Sequence, residues 1–418
     1  MKKFIACLLT LAVVLSASAI AFAAEKEIKL TYWANPGQPH QEMIDLFVAK
    51  HPEVEIELVE VPSDDMRNLI TAAVSSGTGP DIFYYETSMG QVQPLMDAEM
   101  ILDLEAYADK YNWKERITPF ALAEATHRGK LWAIPNETEF IGMYYNKVIL
   151  EELGCEEPQS WDEMIECAEK AEAAGYLPFV FGDLEKWPAL HRIGTAYQWN
   201  PGGKEAVADA IFNYTSLDTE GFVEGLELLM ELDGKYWPNA VQQSHNEAIA
   251  SFIENKALFF HMGTWLVSDI LNSGHEEDFG LFVPFKPHTD ERSTIAGAGA
   301  GWYVSATCQY PDLAMEFLDT CISDEAQTYW VQSGFVPAVE FDVLSVEGVS
   351  EQTKLVVETM NESIDAMGYY IHHFLSSEQS AWIQDGYQGL LLGEVTPAEF
   401  AAEFQRLWEQ AINEGFTN

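Results

Sequence analysis

Cations are scarce in this chain. Lysine and arginine number 22 against 67 aspartates and glutamates, for a net charge of −45 at neutral pH. A surface this acidic repels phosphate backbones and anionic lipid, which argues against nucleic-acid and peripheral-membrane partners. Cysteine is rare too, with five in 418 residues. Cys7 lies at the start of an apolar segment rather than at its end, so it is no lipid-anchor site. The other four, Cys155, Cys167, Cys308 and Cys321, show no C-x-x-C spacing of a zinc or redox centre. In each natural pair the second cysteine falls inside a helix that begins after the first. A rise of ~1.5 Å per residue carries it about 10 Å from the helix start, past the ~7 Å Cα limit for a disulfide; free thiols are expected.

Catalytic signatures are missing as well. No G-x-S-x-G, H-E-x-x-H or G-x-x-x-x-G-K-[ST] occurs. The "GAGAG" of residues 297–301 has the wrong spacing for a phosphate loop and reads as a tight turn or hinge. The ten histidines are scattered, and the adjacent His372 and His373 would point different ways on a helix. Neither a metal nor a cofactor is expected. Long apolar runs are confined to one place. Lys2 and Lys3 precede "FIACLLTLAVVLSASAI", and Ala21-Phe22-Ala23 supplies an A-x-A cleavage site, so residues 1–23 read as a signal peptide. Its removal takes away two lysines and shifts the net charge from −45 to −47. Export to the periplasm or exterior follows.

What remains is 48% apolar and long enough for two domains. Strands and helices alternate. "IKLTYWA" is a strand, "QEMIDLFVAK" a helix, and "EVEIELVEV" a strand with strict alternation at Val54, Ile56 and Leu58. A helical stripe through Met66, Leu69, Ile70, Ala73 and Val74 then stops at Gly77, and "DIFYYE" begins the next strand. Such a cycle implies parallel strands joined by crossover helices. Capping boxes place two further helix starts, at Ser160 with Glu163 and at Thr396 with Glu399. In open parallel sheets, ligands bind beyond the carboxyl ends of the strands. That rule puts Trp33 to Asn35, Tyr85 to Thr87 and Gly263 to Trp265 on such rims.

Twelve tryptophans invite the same weighing. Trp113, Trp161, Trp330 and Trp408 fall in or beside helical patterns and are assigned to packing. Trp33, Trp187, Trp265, Trp302 and Trp382 lie at turns, strand ends or beside glycines, where a ligand role and packing are equally available. Rings suit sugars, because the C–H face of a pyranose stacks on an aromatic while its hydroxyls bond to carboxylates and amides; a hydrogen bond to a charged group contributes about 1.5–3 kcal/mol. A secreted glycoside hydrolase needs only two carboxyl groups, and with 67 acids present the sequence alone does not exclude one. A cell-surface carbohydrate module is a further alternative.

The stretches "SGTGPDIF", "GKLWAIPNETEFIGMYYNKVILEELG" with "PQSWDEM", "SFIENKALFFHMGTWL", and "AMEFLDTCISDEAQ" with "LLLGEVTPAEFA" together resemble the extracellular solute-binding proteins of ABC sugar importers, the maltose-binding-protein-like family. The order matches from about residue 27 to 412. The resemblance implies an α/β fold of the second periplasmic-binding-protein type, with two lobes, a hinge and an interlobe cleft. It implies lobes formed by residues 24–137 with 295–338, and 138–294 with 339–418. It further implies a mono- or oligosaccharide ligand, no enzymatic activity, membrane permease subunits as partners, and a monomer. Carried over by motif, Tyr85 and Glu86 end the "DIFYYE" segment, Asn136 and Glu139 stand in "NETEFIGMYYNK", Asp183 and Trp187 in "GDLEKWP", Trp265 in "MGTW", Trp302 in "AGAGAGW", and Trp382 near the last stacking position. With Trp33 and Asn35 from the rim rule, these are the candidate ligand contacts. The loop "WANPGQPH" lacks the acid–lysine pair of the maltose binder, so maltose itself is not implied, and the acids leave a cationic solute, a polyamine or an amino sugar, open.

Overall fold

The computed structural model describes residues 28–200, 202–217, 220–237 and 239–416; the leader expected over residues 1–23 lies outside them. Alternation in the first hundred residues yields what it promised. Strand β1 (Ile28–Ala34), the helix His40–Val48, β2 (Val54–Glu60), the helix Ser63–Ser75 and β3 (Ile82–Glu86) follow one another. Both β2 and β3 run parallel to β1, with Ile28 opposite Val54 and Tyr32 opposite Ile82. The helix at residues 63–75 buries Met66, Ile70 and Val74, the apolar stripe of its sequence, and leaves Leu69 half exposed.

The chain next forms a small hairpin, β4 (Thr126–His127) with β5 (Lys130–Leu131), and then β6 (Ile134–Pro135) and β7 (Thr138–Asn146). Later come β8 (Leu177–Val180), β9 (Ala257–Gly263), β10 (Phe279–Phe282), β11 (Thr294–Ala298), β12 (Ala300–Val304) and β13 (Met367–Tyr369). They sort into two sheets. One has the order β2-β1-β3-β12-β6, the other β13-β11-β7-β9-β8 with β10 also on β7. In the first sheet β12 runs antiparallel to β3, so a strand from far along the chain is inserted beside an otherwise parallel set.

Each sheet forms one lobe, and the chain crosses between them three times. Asn136 and Glu137 join β6 of the first sheet to β7 of the second. Gly299 joins β11 of the second to β12 of the first, so the sequence-derived split at residue 295 falls inside β11. The third crossing runs through Val336 to Ala338. The crossings bond to one another: the Asn136 N–H donates to the Ala300 carbonyl (3.0 Å), the Ala338 N–H to the Asn136 carbonyl (3.1 Å), and the Thr138 N–H to the Val336 carbonyl (2.8 Å). The glycine-rich stretch thus makes one arm of the hinge.

An aromatic core fills the first lobe. Trp302 is fully buried between Tyr84 and Trp330, and its indole N–H donates to the Tyr32 hydroxyl (2.7 Å). Trp113, Trp161, Trp330 and Trp408 are buried, as packing residues should be. Ser160 and Thr396 both cap helices that start where expected. At Thr396 the box is complete; at Ser160 the hydroxyl accepts from the Glu163 N–H, but the Glu163 carboxylate reaches the Gln159 N–H instead. The second lobe holds a buried ion pair. Arg192 and Asp233 are 1% and 0% exposed, and the Tyr387 hydroxyl donates to Asp233 at 2.7 Å, which ties together the helices Pro188–Gln198, Glu220–Tyr236 and Ser377–Leu392. Removing one member of a buried pair leaves the other charge uncompensated, at a cost of about 3–5 kcal/mol. Asp233→Ala is therefore expected to lower unfolding stability by that amount, read as a displaced urea midpoint.

Candidate functional site

A cleft of about 480 Å³ opens between the lobes at the rims the strand-end rule points to. The loop after β1 contributes Asn35 to Gln38, the end of β3 contributes Tyr84 and Glu86, and the hinge contributes Glu137, Glu139 and Gly299. From the second lobe come Trp187, His191, His245, Trp265 and Asp269, with His372 and His373 on a short helical turn at Ile371–Phe374. A second cavity, about 700 Å³, lies at the other side of the third crossing; its wall is mainly Phe120, Val336, Val339, Phe341 and Met367.

Five of the eleven sequence candidates line the cleft: Asn35, Glu86, Glu139, Trp187 and Trp265. Six do not. Strand alternation decides the case of Tyr85. Neighbours on β3 face opposite sides, so Tyr84 and Glu86 reach the cleft while the Tyr85 hydroxyl turns away to Gln91 (3.1 Å). Trp33 packs against the first-lobe core, and Trp302 belongs to that core outright. The Asn136 side chain is buried, accepting from the Tyr84 hydroxyl at 2.9 Å. Asp183 is fully buried and structural: it accepts from the Ala189 N–H (2.9 Å) at the start of the helix Pro188–Gln198 and from the Gln388 amide (3.1 Å), and burial pushes its carboxyl up to about 8. Trp382 packs on Phe400 and donates to that residue's carbonyl (3.2 Å).

Sequence reasoning missed Arg67, Tyr84, Glu137 as a contact, and four histidines. Arg67 sits on the same helix as the core stripe, and its one sequence signal is Asp64 three residues earlier. In the structure its Nε donates to Glu86 Oε1 (2.6 Å) and its Nη1 to Asp64 Oδ1 (2.6 Å). The guanidinium also lies 4.8 Å from the ring centroid of Trp187, a cation–π contact that spans the cleft from one lobe to the other. Burial opposes the arginine charge, but Glu86 and Asp64 more than offset it and hold its pKa above the usual value. The histidines come from positions 191, 245, 372 and 373, far apart in sequence. His372 and His373 both line the cleft because they lie on a turn and not on an α-helix. Burial pushes His191 and His372 well below the ordinary imidazole range, and His245 down to about 4 with Arg67 adding to the effect. His191, His245 and His372 are therefore neutral near pH 7. Among the described residues no group of three or more His, Cys, Asp or Glu is placed to hold a metal ion.

The hinge end is acidic. Glu137 accepts from the Tyr84 hydroxyl (3.0 Å), and burial raises its carboxyl to about 7. Glu139 is raised well above the ordinary range, first by burial and then by Glu137, Glu124 and Glu86. Glu124 beneath them pairs with His373 Nδ1 (2.7 Å) and accepts from the Ala298 N–H (2.6 Å). The cleft can therefore present protonated carboxyls as donors, ionised ones as acceptors, and flat rings for stacking. A Cβ on Gly299 would stand 2.5 Å from a Glu139 carboxylate oxygen, so only glycine lets that carboxyl occupy its place.

The model for "Bacterial extracellular solute-binding protein" matches residues 32–328. The multiple sugar-binding protein of Streptococcus mutans is 24% identical over 309 residues, which cover 72% of this chain and 72% of that one. The maltotriose-binding protein of Pyrococcus abyssi is 25% identical over 62% of this chain and 54% of its own. Among solved structures, a chitin oligosaccharide binding protein superposes with a TM-score of 0.78 at 20% identity, over 93% of this chain and 100% of that one. At that identity the superposition speaks for the two-lobed fold.

A pH dependence follows from Glu137. Its carboxyl is protonated in the fold up to about pH 7 but ionises near 4.5 when unfolded. Its stabilising contribution is complete below pH 4.5 and is lost as pH rises to 7. Glu137→Gln should leave stability at pH 4 nearly unchanged and raise it at pH 8 relative to the parent, as measured by urea unfolding at the two pH values.

Proposed function

This chain belongs to the bacterial extracellular solute-binding proteins, and on that premise we propose that it captures a mono- or oligosaccharide in the interlobe cleft and delivers it to the membrane permease subunits of an ABC importer. The observation that carries the reading is the pairing of Trp187 and Trp265 with Glu86, Glu137 and Glu139 around one cavity. Rings offer the apolar faces that pyranoses stack on, and the carboxyls take the hydroxyls in plane. The names of its relatives, a multiple sugar-binding and a maltotriose-binding protein, point to the same ligand class.

Lobe closure is the mechanism. A ligand that touches both lobes at once has more contacts in the closed arrangement, and its differential affinity shifts the population toward that state. Trp187 and Trp265 come from the second lobe, Asn35 and Glu86 from the first, and the three crossings at residues 136–137, 299 and 336–338 carry the bending. The importer then recognises the closed shape. Delivery needs no bond broken in the sugar, so the protein acts as a binder and not as a glycoside hydrolase. It works as a monomer outside the cytoplasmic membrane, reached through the leader at residues 1–23.

Titration calorimetry against a panel of neutral oligosaccharides tests the ligand class. With the best ligand, Trp265→Ala and Trp187→Ala are each expected to weaken binding tenfold or more, about 1.4 kcal/mol, without loss of the folded state. Small-angle scattering should show the radius of gyration contract on ligand addition, and no new reducing ends should appear after prolonged incubation. Unchanged affinity in both variants would place the ligand elsewhere; release of reducing ends would make the protein a hydrolase.

A further inference from the structure

Away from the cleft, the second lobe brings two cysteines together. Cys155 follows the helix Lys147–Glu152 through Gly154, whose positive φ of 65° turns the chain back. Its N–H still donates to the Leu150 carbonyl (2.9 Å). The returning segment then leads to Ser160, the cap of the helix Trp161–Ala174. On that helix Cys167 and Lys170 are three residues apart and share a face. Cys155 lies over this face: its Sγ is 3.8 Å from Lys170 Nζ, and its thiol is within hydrogen-bonding reach of the Cys167 thiol. Both pack against the same apolar cluster, Cys167 buried and Cys155 half-buried. All four described cysteines are free thiols, as the sequence suggested, but Cys155 and Cys167 are neighbours rather than separated by the rise of the helix. Cys155 does not sit at the end of the helix; it lies alongside it.

The other two thiols have separate surroundings. Cys308 faces Asp81, and Cys321 is fully buried near Tyr32.

We propose that Cys155 and Cys167 form an oxidation site that closes into a disulfide once the protein has left the cytoplasm. The inference rests on the export reading for its setting and is independent of the sugar reading. The oxidant is an external disulfide, either that of a thiol–disulfide oxidoreductase or a small-molecule one. Cys155, the more accessible thiol and the one beside the Lys170 ammonium, loses its proton to solvent and attacks one sulfur of that disulfide, releasing the other as a thiol. Cys167 then gives its proton to solvent, attacks the Cys155 sulfur and expels the second external thiol. Two protein thiols are oxidised and one external disulfide is reduced to two thiols. Burial, with Cys155 beside it, holds the Cys167 thiol up at about 12, which fits the second, resolving step and not the first attack. The bond would pin the segment before Ser160 to the flank of the helix, and no residue of that segment lines the sugar cleft.

The test treats the purified mature protein with oxidised glutathione or with a reductant, then denatures it, alkylates the remaining thiols and maps the peptides. The expected result is a Cys155–Cys167 bridge in the oxidised sample only, a mass lower by two hydrogens, and a higher Tm than the reduced sample shows. Cys155→Ser should abolish both the bridge and the Tm difference while retaining the sugar affinity of the parent. Cys155 and Cys167 both alkylated after oxidation, or a bridge joining either of them to Cys308 or Cys321, would overturn the proposal. So would a bridged protein less stable than the reduced one.

Discussion

The whole arrangement depends on three backbone segments that pass between the sheets and bond to one another on the way. Segments crossing between lobes cannot satisfy their peptide groups within either sheet, and buried N–H and C=O groups left unpaired are costly. Here they pair across the hinge: residue 136 with residues 300 and 338, and residue 138 with residue 336. The same backbone carries the acids of the cleft, because Glu137 lies in the first crossing and Glu139 is the second residue of the strand after it. The hinge and the acidic wall are therefore one object, and Gly299 belongs to both, as a crossing residue and as the space for the Glu139 carboxyl.

Around that object the electrostatics are uneven. At the hinge the acids are buried and raised, with Tyr84 and His373 as their partners. At the mouth Glu86 and Asp64 share one arginine, which in turn stacks on a tryptophan of the opposite lobe. A ligand entering from the mouth must compete with Arg67 for the face of Trp187. The two rings are 6.1 Å apart and tilted by 54°, so they form a corner and not a parallel sandwich. A sugar ring stacked on one would meet the edge of the other.

A further docking contact steadies the lobes on one side of the hinge. The helix Met89–Asp97 approaches the helix Ser377–Leu392 so closely that a Cβ at Gly90 would lie 2.1 Å from the Ser380 hydroxyl, and Ser377 donates to the Gly90 carbonyl at 2.7 Å.

Local periodicity determined much of this protein from the chain alone. The first strands and helices, the two capped helix starts, the packing tryptophans and the strand-end rims that border the cleft follow from patterns of period two or 3.6 and from end chemistry. Motif order gave the family, and with it Glu139 and Trp265. The face a strand residue presents needs the register of the finished sheet: Tyr84 and Tyr85 are identical in sequence terms, and only pairing with β12 and the crossing above it sends one hydroxyl to Glu137 and the other to Gln91. Nor does any local pattern announce Arg67 against Trp187, four histidines drawn from three distant segments, or Cys155 laid along its helix. Those are contacts between elements, and they exist only because packing the lobes fixes distances that sequence separation does not contain.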